Sequence, residues 1–183
     1  MDIALKQLKI HQLLIISVLL FVPVSLSADS AEYEIKAAFI YNFSKFVEWT
    51  DQTSINQSDN LPLCILGEDP FGEAIDKLEG KKVQGSALHI KRIASIDEYS
   101  GCRILFISKS EKNELSTLLD TLDLNKNILS ISDINGFANS GGVIELVLSD
   151  NKIRFIVNID TVNRSNLNLS SKILRLANVV GGN

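Results

Sequence analysis

The chain has 183 residues, a length typical of a single domain. Its composition, 45% hydrophobic and 22% charged, is that of a globular protein with its own core. A net charge of −4 argues against nucleic-acid binding, and two cysteines, two histidines and one methionine nearly exclude a cysteine or histidine metal cluster.

Residues 1–28 have the pattern of a cleavable export signal. A basic start precedes an apolar run at 13–24, which is shorter than the ~20 residues that span a bilayer. Cleavage before Asp29 is favoured narrowly over cleavage one residue earlier, and an uncleaved anchor is the alternative. We therefore expect a signal peptide at 1–28 and a soluble, exported domain at 29–183.

The apolar spacing predicts a helix over residues 32–49 that is rich in aromatic side chains. Phe39, Phe43 and Phe46 fit its core face. The other three aromatic residues project elsewhere and are candidate contacts for a partner or a second copy: Tyr33, Tyr41 and Trp49. The alternative is that all six pack into one thick core.

A polar loop at 50–60 leads to the first predicted strand. The run 61–66 is nearly all apolar, as in a strand buried on both faces of a parallel sheet. It stops at Gly67. Asp69 is then expected to cap a helix that begins at Pro70 and ends at residues 79–80.

The middle of the chain continues the alternation of strands and helices. Strands are predicted at 87–93, 103–107 and 127–131, with a leucine-striped helix before the last and a Ser108/Glu111 capping box at its start. This order predicts a single α/β domain with a mainly parallel, doubly wound sheet flanked by helices.

The C-terminal part predicts a β-hairpin. Asp150 and Asn151 form a two-residue turn between strands 143–149 and 152–160, and Leu148 pairs with Ile153.

This register sorts the hairpin into two faces. Glu145 and Arg154 become diagonal neighbours on one face. The other face is core and holds six apolar residues: Ile144, Leu146, Leu148, Ile153, Phe155 and Val157. Terminal helices are predicted at 160–166 and 170–180.

Cys64 and Cys102 both lie at the beginning of predicted strands. Export places thiols in an oxidising compartment, and neighbouring parallel strands would bring the two together. We expect a disulfide that closes a loop of about 38 residues and contributes roughly 4 kcal/mol in the chain-entropy model. The alternatives are two buried free thiols and a redox-active pair.

Few residues are candidates for a catalytic or ligand-binding role. His89 alternates with apolar neighbours, which favours a solvated strand histidine over a catalytic base. Two loops that follow strands are candidate ligand or partner loops, one with Glu68 and Asp69, the other with Asp133 and Asn135. The carboxylates and the lack of a glycine-rich phosphate motif disfavour a phosphate site in the first loop. We expect no catalytic residues, metal or cofactor.

Five segments taken in order resemble a known family: 37–49, 63–69, 102–107, 141–146 and 169–177. They look like the YfiR family of bacterial periplasmic proteins, and the match covers essentially the whole exported chain. The resemblance implies a non-enzymatic, dimeric regulator. Such a protein represses an inner-membrane diguanylate cyclase by engaging its periplasmic sensor, can be sequestered by an outer-membrane lipoprotein, and tunes cyclic di-GMP signalling and biofilm output.

The fold does not reveal the identity of the partner. The alternative function is a periplasmic small-ligand-binding module that serves a histidine kinase or another membrane receptor. A hydrolase is a third class and would require His89. Cys64 and Cys102 sit where relatives place a cysteine pair, and the second bridge of some relatives is absent, because the sequence has no other cysteines.

Overall fold

The computed structural model describes residues 28–50, 60–123 and 126–182. Positions 1–27 of the expected signal peptide and 51–59 of the expected loop lie outside these ranges. Within them, no helix combines the length and the apolar character that a membrane span requires.

The described residues form five α-helices: α1 (Ala28–Phe46), α2 (Glu73–Asp76), α3 (Leu115–Asp123), α4 (Ile159–Arg164) and α5 (Ser171–Leu174). They also form ten strands: β1 (Val47–Trp49), β2 (Asn60–Leu66), β3 (Lys82–Val83), β4 (Ser86–Ile93), β5 (Ile104–Ile107), β6 (Leu129–Ser132), β7 (Ile144–Ser149), β8 (Lys152–Asn158), β9 (Leu167–Leu169) and β10 (Asn178–Val180). Two 3₁₀ segments, Ile96–Glu98 and Lys109–Glu114, precede β5 and α3.

Eight strands form one sheet in the order β10-β8-β7-β6-β5-β2-β4-β3. The central strands β4, β2, β5, β6 and β7 run parallel, whereas β3 and β8 run antiparallel to their neighbours β4 and β7. The predicted α/β domain with a mainly parallel sheet is thus confirmed. The strand order reverses between β2, which leads to β4, and β5, which leads to β6.

Helices cover both faces of this sheet. One core contains residues of α1, α2, α4 and α5, among them Phe43, Ile75, Val162 and Ile173. The other core lies under α3 and includes both cysteines. Two covered faces explain why the central strands, such as the fully buried β5, are continuous apolar runs.

The predicted hairpin and its register are confirmed, since Leu148 pairs with Ile153. Asp150 and Asn151 have positive φ angles of 52° and 55°, as a type I′ turn requires. The prediction that Leu148 lies on the core face is wrong, because Leu148 is 51% exposed. The reason is that β6 pairs only with the first two residues of β7, so the end of the hairpin extends beyond the sheet.

The predicted pair of Glu145 and Arg154 is wrong. Glu145 is only 2% exposed, because it pairs with Ser132 of β6 and accepts hydrogen bonds from the turn that follows β6. Arg154 is exposed and approaches Asp150 instead, at 4.0 Å.

Two predicted helices end early because strand pairing replaces their last turns. Residues of the first form β1, where buried Val47 and Trp49 flank exposed Glu48 and pair with β9. The last predicted helix is reduced to α5, and its final residues form β10 beside β8. Pairing with another strand therefore decides the structure of both segments, with β9 in a separate two-stranded sheet for β1 and with β8 at the edge of the large sheet for β10.

The predicted caps are also wrong. The helix expected from Pro70 is only the short α2, which follows Gly72 at φ 51°. Asp69 instead accepts from the N–H of Phe71 at 2.7 Å, which forms a turn. The side chain of Ser108 caps nothing, so the capping box does not form.

The structure joins Cys64 and Cys102 in a disulfide with a Cα separation of 5.9 Å. Both residues are buried, at 0% and 4% exposure. The bridge ties β2 to the segment that enters β5, inside the core under α3.

We expect the variant with Cys64→Ala and Cys102→Ala to lose about 2–5 kcal/mol of unfolding free energy, because its unfolded chain is no longer closed into a loop. Urea denaturation measures this loss. Wild-type protein in reductant should show the same loss, and equal stability of oxidised wild type and variant would contradict the prediction.

Candidate functional site

The carboxyl ends of β2, β5 and β6 meet at one edge of the sheet, next to the point where the strand order reverses. Open α/β sheets commonly bind ligands at such a point. The first half of α1 reaches this edge, because Tyr33 and Lys36 contact Asp133, the residue that follows β6.

Asp133 lies at the centre of this edge, and its side chain is 1% exposed. Its Oδ2 accepts from the Tyr33 hydroxyl at 2.8 Å and from Lys36 Nζ at 2.5 Å. Lys109 Nζ, from the segment after β5, approaches the same oxygen at 3.3 Å. Asp133 therefore joins α1 to the ends of two strands.

Lys36 is the charged partner that makes this burial of Asp133 tolerable. It is 1% exposed, forms an ion pair with Glu32 as well as Asp133, and its Nζ lies 4.2 Å from the centre of the Tyr33 ring. A buried ammonium is stable only when such partners replace water.

Burial and the hydrogen bond to Asp133 raise the pKa of Tyr33 above its ordinary value. The Tyr33 hydroxyl therefore stays protonated and donates to the carboxylate. Its ring meets that of Phe71 edge to face, with centroids 5.3 Å apart, so the loop after β2 also packs against α1.

Glu145 supports the loop that carries Asp133. Its two carboxylate oxygens accept from the N–H groups of Gly136 and Ala138, both at 3.0 Å. Ser132 Oγ completes the turn by donating to Ile107 O and accepting from Ile134 N–H. The sequence carried a signal for this role, namely one carboxylate inside an otherwise apolar strand.

The predicted loop residues have different environments. Asp69 is held by Arg92, whose Nε lies 2.8 Å from its Oδ2. Glu68 and Asn135 are exposed at the rim of the edge. The structure thus brings Asp133 and Tyr33 together, makes Asp69 a turn residue and leaves Glu68 and Asn135 facing solvent.

The other predicted contact residues lie elsewhere. Tyr41 is half-buried further along α1, between Lys45 and Lys81, whose Nζ atoms lie 3.9 and 5.2 Å from its ring centre. Trp49 is buried to 2% exposure, because β1 pairs with β9.

Two clefts open at this edge and share Glu32 and Lys109 in their walls. The α1 cleft, about 780 Å³, lies between the start of α1 and the loop after β2. Five carboxylates and two lysines line it: Asp29, Glu32, Glu34, Asp69, Glu73, Lys77 and Lys109. The β7 cleft, about 470 Å³, lies between Lys36 and the apolar residues 146–148.

The model of the YfiR/HmsC-like family matches residues 33–178, from the first turns of α1 into β10. The chain belongs to the YfiR/HmsC-like family. No curated protein matches it.

His89 of this YfiR/HmsC-like protein lies away from the Asp133 edge, on the exposed side of β4, with 57% of its side chain exposed. Its Nδ1 is 3.1 Å from Glu79 Oε1. The Ile90 N–H and then His89 lower the pKa of Glu79. In the part of the chain that the structure describes, no group of three histidine, cysteine or acidic residues is arranged to hold a metal ion.

The ion pair between Lys36 and Asp133 gives a sharp test of the site. Lys36→Met leaves a buried carboxylate short of its main cation, so we expect a loss of about 3–5 kcal/mol of unfolding free energy. The matched control is Lys77→Met, which removes an exposed pair with Glu34 and should cost at most about 1 kcal/mol. Urea denaturation compares the two variants, and equal losses would contradict a structural role for Lys36.

Proposed function

We propose that this protein is a periplasmic repressor that binds the periplasmic sensor region of an inner-membrane signalling enzyme, most directly a diguanylate cyclase, and so tunes cyclic di-GMP signalling. The observation that carries the proposal is the family match over residues 33–178. YfiR-like proteins are regulatory, periplasmic and act with a partner protein. The proposal includes export through the signal at 1–28, a homodimer, and sequestration by an outer-membrane lipoprotein.

The chemistry of the sheet edge supports a binding role over a reactive one. Oδ2 of Asp133 is engaged by Tyr33, Lys36 and Lys109, and both carboxylate oxygens of Glu145 are engaged by backbone N–H groups. These contacts hold α1 and the loop after β6 in place, which is a structural use of both carboxylates. The exposed rim residues remain for recognition, and we assign partner contact to Glu68 and Asn135.

Deletion of the gene should raise intracellular cyclic di-GMP, because the cyclase loses its repressor, and re-expression should lower it again. Mass spectrometry of nucleotide extracts measures the change. An unchanged level after deletion, with the cyclase present and active, would rule out repression.

Binding to the purified sensor ectodomain of the cyclase tests whether Glu68 and Asn135 contact the partner. The double variant Glu68→Lys and Asn135→Lys should bind the ectodomain about tenfold more weakly or worse. The first change reverses a charge at the contact and the second adds one. The control is Asp120→Lys, which changes the charge of another exposed residue, on α3, and should bind as wild type does.

The α1 cleft favours a second candidate function, small-ligand binding for a kinase or another receptor. Its volume of about 780 Å³ falls in the range of ligand sites, and Tyr33 and Phe71 supply aromatic walls. The excess of carboxylates fits a cationic ligand.

A thermal-shift screen of cationic metabolites tests the ligand-binding function. A ligand at 100 times its Kd should stabilise the protein by about 2.7 kcal/mol, and Glu73→Lys should reduce that shift. A screen without any stabilising compound would count against this second function.

A further inference from the structure

The β7 cleft lies where β7 continues past the end of β6. Because β6 pairs with β7 only at Ile144 and Glu145, the next three residues of β7 have no strand on that side. These residues, 146–148, form one wall of the cleft, and the segment after β5 forms another. The volume of about 470 Å³ lies in the range of small-molecule sites.

The wall at residues 146–148 is apolar and extends from the core to solvent. Leu146 is 2% exposed, Val147 is half-buried and Leu148 is 51% exposed. Buried Ile134, from the loop after β6, also lines the cleft. An alkyl chain along this wall would cover Leu148, and each methylene buried there would strengthen binding about fourfold.

Two exposed lysines of the segment Lys109–Glu114 line the same cleft. Lys109 is 58% exposed and shares Oδ2 of Asp133 with the buried Lys36. Lys112 forms no ion pair with any residue that the structure describes. A carboxylate in the cleft would therefore meet one unpaired ammonium group and one that is only partly engaged.

Asp133 lines the cleft too, and only one of its two carboxylate oxygens has partners. Tyr33, Lys36 and Lys109 all approach Oδ2. Oδ1 is buried and accepts no hydrogen bond from the described part of the chain. Since a buried acceptor without a donor is costly, a ligand that brings a hydroxyl group to Oδ1 gains affinity from that bond.

We propose that the β7 cleft binds a hydroxy fatty acid, an alkyl carboxylate with a hydroxyl group close to the carboxylate. The carboxylate pairs with Lys109 and Lys112, the hydroxyl donates to Oδ1 of Asp133, and the alkyl chain lies along residues 146–148. A small inorganic anion would leave the apolar wall and Oδ1 unused. An uncharged alkane would leave the lysines unused.

This inference goes beyond the proposed function, because neither repression of a cyclase nor a cationic ligand in the α1 cleft requires it. A protein that lowers cyclic di-GMP and binds no hydroxy fatty acid overturns this inference alone. A protein that binds the hydroxy fatty acid and leaves cyclic di-GMP unchanged removes the proposed function alone.

Calorimetric titration of the exported protein with 3-hydroxyoctanoate is the direct test. We expect a one-to-one complex with a Kd below about 1 mM. Octanoate should bind at least about fivefold more weakly, because it has no hydroxyl group for Oδ1 of Asp133. 3-Hydroxybutyrate should bind at least about tenfold more weakly, because its chain is four carbons shorter. Absence of a complex with 3-hydroxyoctanoate, or equal affinities for the three acids, would overturn the inference.

A charge reversal tests the position of the carboxylate. Lys112→Glu should weaken the binding of 3-hydroxyoctanoate at least about tenfold. The matched control is Lys91→Glu, the same change at an exposed lysine of β4, which is separated from β6 by β5 and β2. It should bind as wild type does, and equal losses in the two variants would contradict the proposed carboxylate site.

A change in the apolar wall tests the position of the alkyl chain. Leu148→Ser should reduce the difference in affinity between 3-hydroxyoctanoate and 3-hydroxybutyrate, because the longer chain loses part of its contact surface. Leu176→Ser is the control at another exposed leucine, outside the cleft, and should keep the full difference. Urea denaturation checks that both variants fold. A difference that Leu148→Ser leaves unchanged would overturn the proposed location.

Discussion

A buried ion pair joins the parts of this protein that meet at the carboxyl ends of β2, β5 and β6. Lys36 enters the interior from α1, and Asp133 meets it from the loop after β6, so helix and sheet are connected by charge as well as by apolar packing. Neither group tolerates burial alone, which makes their positions mutually dependent. The Tyr33 hydroxyl and Lys109 use the same carboxylate, and Glu145 holds the loop that presents it.

The opposite face of the sheet is stabilised by a different device. There α3 covers the core that contains the disulfide. This core lies on the other side of the central strands from α1, and a covalent bond stabilises it. The protein therefore combines a polar connection on one face with a covalent one on the other. The rim of the carboxyl end of the sheet, with Glu68 and Asn135, stays exposed to solvent.

Much of the fold could be predicted from the sequence. The central strands are apolar runs bounded by glycine or polar residues, and the turn at Asp150 and Asn151 allows only one register. The two helices that end earlier than predicted have a common cause. Residues 47–49 and 178–180 follow helical patterns, yet each lies beside a strand with free hydrogen-bonding groups, and tertiary pairing outweighs weak local preference.

The sequence by itself determined the α/β class, the cysteine pair and the family, because periodicity, spacing and ordered motifs are local or additive signals. Only the tertiary structure decided that Lys36 is a core residue, that Glu145 points inward and that Trp49 is buried. Those outcomes depend on which groups approach from elsewhere in the chain. A charge is buried when distant residues satisfy it, and no local pattern records where those residues will be.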